Sequence, residues 1–393
     1  MTDTAASGRP LRILTIGHSY TVGVNRAIAR EVARDPAFEV TVGAPAAFDG
    51  DLRPLRIDPE PSGSPITLRP LAAARTRFIH VFGYNGATLR RLMFEGDFDV
   101  VHAWEEPYIL AGYQIARAVE RTNAAFCFRT AQSLVKRYPP PFSGFERRVL
   151  RRADGWIAGG NLVYRAMLER RYPAERGRIL TLAVDTERFR PLSPDERAAV
   201  RHELGLTAPI IGFVGRLTRE KGLDVLMRAL EMLPANTPWN ALFVGSGPYE
   251  RKLRAWAARR GWSDRICIKL TRHDEIQRYL GAMDVLVAPS LTTSQWKEQF
   301  GRMVIEAFAC GVPVVGSDSG EIPFVIGDAG RVVPEADAAA YARTLTELLH
   351  SPDLRMELAR RGLMRVRDYS VQTVAANYRE YYAELARMRR STS

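Results

Sequence analysis

The chain has 393 residues, of which 46% are hydrophobic, 25% charged and 9% aromatic, an ordinary globular composition that excludes a disordered, collagen-like or coiled-coil protein. At roughly 150 residues per domain the length predicts two or three domains. Lys and Arg number 56 against 44 Asp and Glu, a net charge of +12, which favours acidic partners: nucleic acid, an anionic membrane face or phosphorylated small molecules.

In chain order, residues 1–10 are polar and place Asp3 before any base, which is not a signal-peptide pattern. Apolar runs at 11–17, 39–43, 99–104, 124–129, 155–158 and 178–183 predict buried strands, with helical stretches such as 25–34 and 161–171 between several of them. This alternation predicts a parallel sheet covered by helices on both faces. The segment 184–208 breaks the pattern, with Pro191, Pro194 and Pro209 around a charged helical stretch at 195–203, and the interdomain linker is expected here. A second series follows, with strands at 210–215, 241–245, 265–269, 284–288 and 312–315 and a helix at 301–310. Two doubly wound α/β domains are therefore expected, 1–188 and 189–369, with a helix near 370–390 packing back on the first. That helix carries Val371, Val374, Tyr378, Tyr381, Tyr382 and Leu385 at helical spacing.

No apolar stretch approaches the ~20 residues of a membrane span. Cys127, Cys267 and Cys310 are odd in number and widely spaced, so buried free thiols in a reducing, cytoplasmic setting are expected rather than disulfides or zinc. The six histidines show no zinc spacing.

Three stretches of the second series carry chemistry. From Gly212 to Gly222 a strand runs into Gly215 and a turn bearing Arg216 and Lys221; beyond the carboxyl end of such a strand, two cations beside a helix N-terminus can hold a diphosphate. The spacing is not that of a Walker loop. Gly245 and Gly247 close the next strand, where backbone can approach a ligand. Finally, Glu298 precedes and Glu306 lies inside the helix that follows Phe300, Gly301 and Arg302. An acid on an otherwise apolar helix face is costly without a partner, and a ribose diol would supply one.

In these residues the chain resembles the family 4 glycosyltransferases, retaining enzymes of the two-domain GT-B fold. The likeness runs over nearly the whole chain and is strongest at 212–222 and 290–330, where Glu298 and Glu306 resemble the Glu-x7-Glu signature. It implies two Rossmann-like domains facing each other across a cleft, a C-terminal crossover helix, and transfer from a nucleoside diphosphate sugar to an acceptor hydroxyl with retention. By the same resemblance Arg216 and Lys221 hold the diphosphate, Glu306 the ribose and Glu298 the donor sugar, with Arg216, Lys221 and Glu298 carrying catalysis. Gly215, Gly245, Gly247, Phe300, Gly301 and Arg302 complete the donor site, and Thr271, Arg272 and His273 fall where the family meets the base. On the acceptor side the family's positions fall on Gly17, His18, His102 and Gln132. The chain departs from the pattern twice: Trp104 replaces a His two residues after His102, and Gln132, which cannot act as a base, stands where many members have a His. The resemblance also implies that the leaving phosphate takes the acceptor proton, that no metal cofactor is required, and that the acceptor is a glycan, a lipid-linked sugar or a small molecule. A non-catalytic nucleotide-sugar-binding protein would keep the same donor residues.

Asp49-Gly50-Asp51 and Asp97-Phe98-Asp99 both spell Asp-x-Asp, but far from the donor motifs, so neither is expected to hold a metal. Residues 136–152 carry six cations and one acid among Phe142, Phe145, Val149 and Leu150. That pattern suits a helix lying on an anionic membrane or a solvated helix covering the first domain. No nucleic-acid recognition motif accompanies the charge, and no nucleic-acid partner is expected.

Overall fold

The structure, a computed structural model, describes residues 9–49, 54–271 and 275–392. The chain forms two compact units, one running to Thr181 and resuming at Val371, the other spanning Leu182–Ser370.

In the first unit seven parallel strands, β1 (Leu11–Ile16), β2 (Phe38–Pro45), β3 (Thr67–Leu71), β4 (Val100–Ala103), β5 (Ala125–Thr130), β6 (Gly155–Ala158) and β7 (Gly177–Ile179), lie in the order β7-β6-β5-β4-β1-β2-β3. The central strands are buried on both faces, as their continuous apolar runs require. The helix Val371–Thr392 packs against the helix Ala27–Ala33 and the sheet, burying Val374, Tyr378, Tyr381, Tyr382 and Leu385. Gly155 permits that packing, since a Cβ there would lie 2.0 Å from the Tyr381 hydroxyl.

The second unit holds six parallel strands, β8 (Ile210–Val214), β9 (Asn240–Val244), β10 (Ile266–Lys269), β11 (Val285–Ala288), β12 (Val314–Ser317) and β13 (Arg331–Val333), in the order β10-β9-β8-β11-β12-β13. In each sheet the order reverses beside the first strand, between β1 and β4 and between β8 and β11. At such a switch point two consecutive loops part and leave a crevice at the carboxyl ends of the strands.

Two edge strands, β3 and β13, were not expected. β3 contains Pro70 and exposes most of its residues, and β13 is three residues long, so neither carries an apolar run. The stretch expected as a linker at 184–208 instead belongs to the second unit. Val184 N donates to Tyr369 O at 2.9 Å, Phe189 is buried in that unit's core, and Arg197 and Arg201 of the helix Pro194–Leu204 pair with Asp284. The division accordingly falls between Thr181 and Leu182, ahead of the expected boundary at 188.

Candidate functional site

In the second unit, the turn after β8 and the turn after β9 run backbone to backbone. Gly215 N donates to Val244 O at 3.0 Å and Leu217 N to Ser246 O at 2.8 Å. Gly245 has φ 148° and Gly247 φ 156°. A Cβ on Gly245 would lie 1.9 Å from Gly215 O, and one on Gly247 2.4 Å from Leu217 O. The glycines thus answer first to this close approach.

Lys221 is carried to the switch point by the next turn. Gly222 takes φ 74° and presses its Cα toward the end of β11, where a Cβ would meet Pro289 O at 1.7 Å. Lys221 Nζ then pairs with Glu298 Oε2 at 2.5 Å and lies 4.9 Å from the centroid of the Trp296 ring. Ser290 Oγ donates to the same carboxylate oxygen at 2.9 Å. The loop bearing Glu298 is fixed through its backbone: Glu321 N donates to Glu298 O at 3.0 Å, and Gly320 at φ 61° passes against that carbonyl. Arg216, nearly half exposed, faces Glu220 at 3.7 Å.

Gly301, at φ 82°, opens the helix Arg302–Ala309, whose N-terminus has no side-chain cap. Phe300 is buried edge-on to Tyr369. Inside that helix Glu306 is 5% exposed, and its carboxyl makes no hydrogen bond among the described residues. Burial pushes its pKa up to about 7, against the lowering influence of Arg302 and Arg188. Arg188 was missed in the sequence because it lies more than a hundred residues upstream, in what reads as linker. Thr271 donates to Glu275 at 2.8 Å, while Arg272 and His273 lie outside the described residues.

The corresponding crevice of the first unit is built on Glu105, which the sequence reading did not single out. Its only signal is its position, two residues beyond the end of β4. Its side chain is fully buried and accepts from His18 N at 2.7 Å, from Tyr84 OH at 2.8 Å and, on its other oxygen, shares a 2.7 Å hydrogen bond with His18 Nδ1. Gly17 leaves no room for a side chain, since a Cβ would lie 2.8 Å from Trp104 Cβ. Phe48 and Phe82 pack on the imidazole at 5.0 and 5.6 Å between centroids.

His102 does not join them. It is fully buried, shares a 2.9 Å hydrogen bond with the hydroxyl of Tyr382 and packs among Trp104, Tyr378 and Tyr382. Burial, helped by Arg129, lowers its pKa to about 3. It is a neutral core histidine, which corrects its placement on the acceptor side. Gln132 spends its amide within its own loop, donating to Tyr138 OH at 3.0 Å and accepting from Leu134 N at 3.0 Å.

The basic segment 136–152 contains the helix Phe142–Arg152, whose apolar face is consumed by the domain. Phe145 stacks on Tyr113 at 4.7 Å, Val149 is buried, and Arg148 and Arg152 pair with Glu120 and Asp154. What remains for solvent is chiefly Arg147 and Arg151, so the covering-helix alternative describes it. Of the two Asp-x-Asp stretches, Gly50 and Asp51 lie outside the described residues, and Asp99 is occupied by Arg9 and Arg390. Among the described residues no three His, Cys, Asp or Glu side chains gather as a metal site, the three cysteines are free, and no helix is long and apolar enough to cross a membrane.

Comparison with known proteins agrees with this geometry. Residues 24–188 match the model of Glycosyltransferase Family 4, and residues 195–364 that of Glycosyl transferases group 1. The 2-deoxystreptamine glucosyltransferase of Streptomyces kanamyceticus is 30% identical over 357 residues, 84% of this chain and 88% of that protein. The GDP-mannose-dependent monoacylated alpha-(1-6)-phosphatidylinositol monomannoside mannosyltransferase of Corynebacterium glutamicum is 34% identical over 193 residues, 48% of this chain and 50% of that protein. The chain spans about half the length of this and several other curated relatives it matches. The structure of Anabaena Alr3699/HepE in complex with UDP-glucose superposes with a TM-score of 0.72 at 19% identity, covering 95% of this chain and all of that one. With two Rossmann-like sheets, a matching model on each half and a relative aligned almost end to end, the chain belongs to the family 4 glycosyltransferases of the GT-B fold.

Proposed function

We propose that this chain moves a sugar from a nucleoside diphosphate donor to an acceptor hydroxyl with retention of configuration and without a metal, acting in the cytoplasm in the biosynthesis of a glycan or glycoconjugate. The observation that carries this reading is the meeting of Lys221, Glu298 and Ser290 at the β8/β11 switch point, on the loop that leads to the uncapped helix Arg302–Ala309 and its buried Glu306, which makes no side-chain hydrogen bond among the described residues.

Each group has a task. The backbone amides at Gly301 and Arg302, together with Lys221 and the exposed Arg216, hold the diphosphate and stabilise the charge that develops on it as it leaves. An ammonium has three donors, so Lys221 can keep Glu298 while it takes a phosphate oxygen. Glu298 is thereby fixed to accept from a hydroxyl of the donor sugar, and Glu306, ionised, accepts from the two ribose hydroxyls. Retention is supported by the family. The relatives' names supply probes: GDP-mannose, UDP-glucose and 2-deoxystreptamine.

The test is a thermal-shift screen of nucleotide sugars that includes GDP-mannose and UDP-glucose, followed by product analysis. A donor present at 100 times its Kd should stabilise the fold by about 2.7 kcal/mol. If no nucleotide sugar raises the melting temperature and no nucleoside diphosphate is released, the reading is wrong.

A further inference from the structure

Resting on that reading, we propose that Trp296 is the residue that positions Lys221 for the reaction. Its indole face covers one side of the ammonium and leaves it a single direction in which to donate, toward the departing diphosphate.

Trp296 is a large apolar side chain that the fold does not spend on its core. It is only partly buried, and among the described residues it joins neither apolar core of the second unit and stacks on no other ring. Its face meets a cation instead. Lys221 Nζ lies 4.9 Å from the ring centroid, inside the range of roughly 6 Å over which a ring quadrupole attracts an ammonium.

Two fastenings hold the ring there. Within its own loop, Trp296 N donates to Thr293 Oγ1 at 2.9 Å and Thr293 N donates to Trp296 O at 2.8 Å, a closed turn that sets the backbone from which the indole projects. Between loops, Leu291 N donates to Glu220 O at 2.8 Å, which ties the loop after β11 to the residue immediately before Lys221. Ring and ammonium thus sit on two turns joined by their backbones, and the long lysine stem is not left to find its own direction.

The consequence follows from counting donors. An ammonium has three N–H groups and accepts nothing. One goes to Glu298 Oε2 at 2.5 Å, the indole face takes a second side, and the remainder has no hydrogen-bond partner among the described residues. The Lys221 side chain is 11% exposed, so little water competes for that remaining donor. A cation stripped of water and fixed in direction stabilises the charge developing on a phosphate without reorganising as the bond to the sugar breaks. That help is greater in the transition state than in the bound donor, so loss of the ring should lower kcat more than it raises KM.

Two variants separate this from a merely structural role: Trp296→Phe keeps an aromatic face, and Trp296→Leu keeps only apolar bulk. Turnover is measured with GDP-mannose or UDP-glucose as donor and 2-deoxystreptamine as acceptor, or water where that acceptor is not used. Trp296→Leu should lose about 10-fold in kcat while the donor KM changes by less than about threefold. Trp296→Phe should stay within about threefold of the unaltered rate. In the Lys221→Ala chain the same Trp296→Leu change should alter kcat by less than about twofold, because the group it positions is gone. Without any donor, proton NMR should show the Lys221 ε-methylene shifted upfield by the ring in the unaltered chain and in Trp296→Phe, and at its ordinary position in Trp296→Leu. The inference is overturned if Trp296→Leu turns over within about twofold of the unaltered rate, if Trp296→Phe is as slow as Trp296→Leu, or if the loss is as large in the Lys221→Ala chain. An unshifted Lys221 methylene in the unaltered chain overturns it as well. A shifted methylene with neither donor stabilising the unaltered chain instead overturns the donor-binding reading beneath it.

Discussion

Lys221 and Glu298 are 77 positions apart and meet at 2.5 Å, each with only about a tenth of its side chain exposed. A pair so placed has little water to replace a lost partner. Lys221→Ala leaves Glu298 with Ser290 alone, and should destabilise the second unit by about 3 kcal/mol while reducing transfer by at least about 100-fold. Glu298→Ala should cost a similar amount. The double variant should cost clearly less than the sum, which urea denaturation of the four chains of the cycle would measure.

Glu306 makes stability depend on pH in a predictable direction. Its carboxyl is raised by burial from 4.5 to about 7, so between those values the folded chain keeps a proton that the unfolded chain has released. The contribution of Glu306 to stability should therefore be greatest below pH 4.5, fall as pH rises to about 7 and then level off, a change of up to about 3 kcal/mol in all. Glu306→Gln should abolish this dependence when melting curves of the two chains are compared across pH. In the unaltered chain donor affinity should rise with pH through 7, because only the ionised form accepts from both ribose hydroxyls; in Glu306→Gln it should be flat and about 10- to 100-fold weaker.

The interlocked glycine turns predict a contrast between two identical substitutions. Gly245→Ala places a methyl 1.9 Å from Gly215 O in a backbone at φ 148°, and should cost about 3 kcal/mol or more together with donor binding. Gly144→Ala, inside the helix Phe142–Arg152 with nothing within 4 Å, should instead stabilise the first unit by about 0.5–1 kcal/mol. Denaturant midpoints distinguish them.

His102→Phe should keep transfer within about threefold of the unaltered rate, because the imidazole is a core group rather than an acceptor contact. The Tyr382 hydroxyl loses its partner, which costs about 1–3 kcal/mol at neutral pH. The acid side should change as well. With a folded pKa near 3 against an ordinary 6.5, the native histidine contributes stability that is present above pH 6.5 and lost as pH falls toward 3; the phenylalanine variant should lack that loss.

Local pattern alone determined a good deal about this protein. Apolar runs spaced by helical stretches gave eleven of the thirteen strands of the two parallel sheets, because a strand buried on both faces must be apolar throughout. The turns that bear Gly215, Lys221, Gly301 and Glu306 were legible for a related reason: they lie on short strand–turn–helix units whose geometry is local. Where the chain passes from one unit to the other was not legible, since the Pro-rich stretch at 184–208 looks like a linker until Val184 is seen bonded to Tyr369. Burial of polar groups was hidden too. His102 and His18 each follow a strand-forming run, yet one is sealed under the C-terminal helix, whose Tyr382 lies 280 positions away, and the other rests on Glu105, 87 positions away. Spacing reports what a segment becomes; only the packing of distant segments decides which side chains lose water and which carboxylate meets which cation, because desolvation and Coulomb attraction depend on distance in space rather than along the chain.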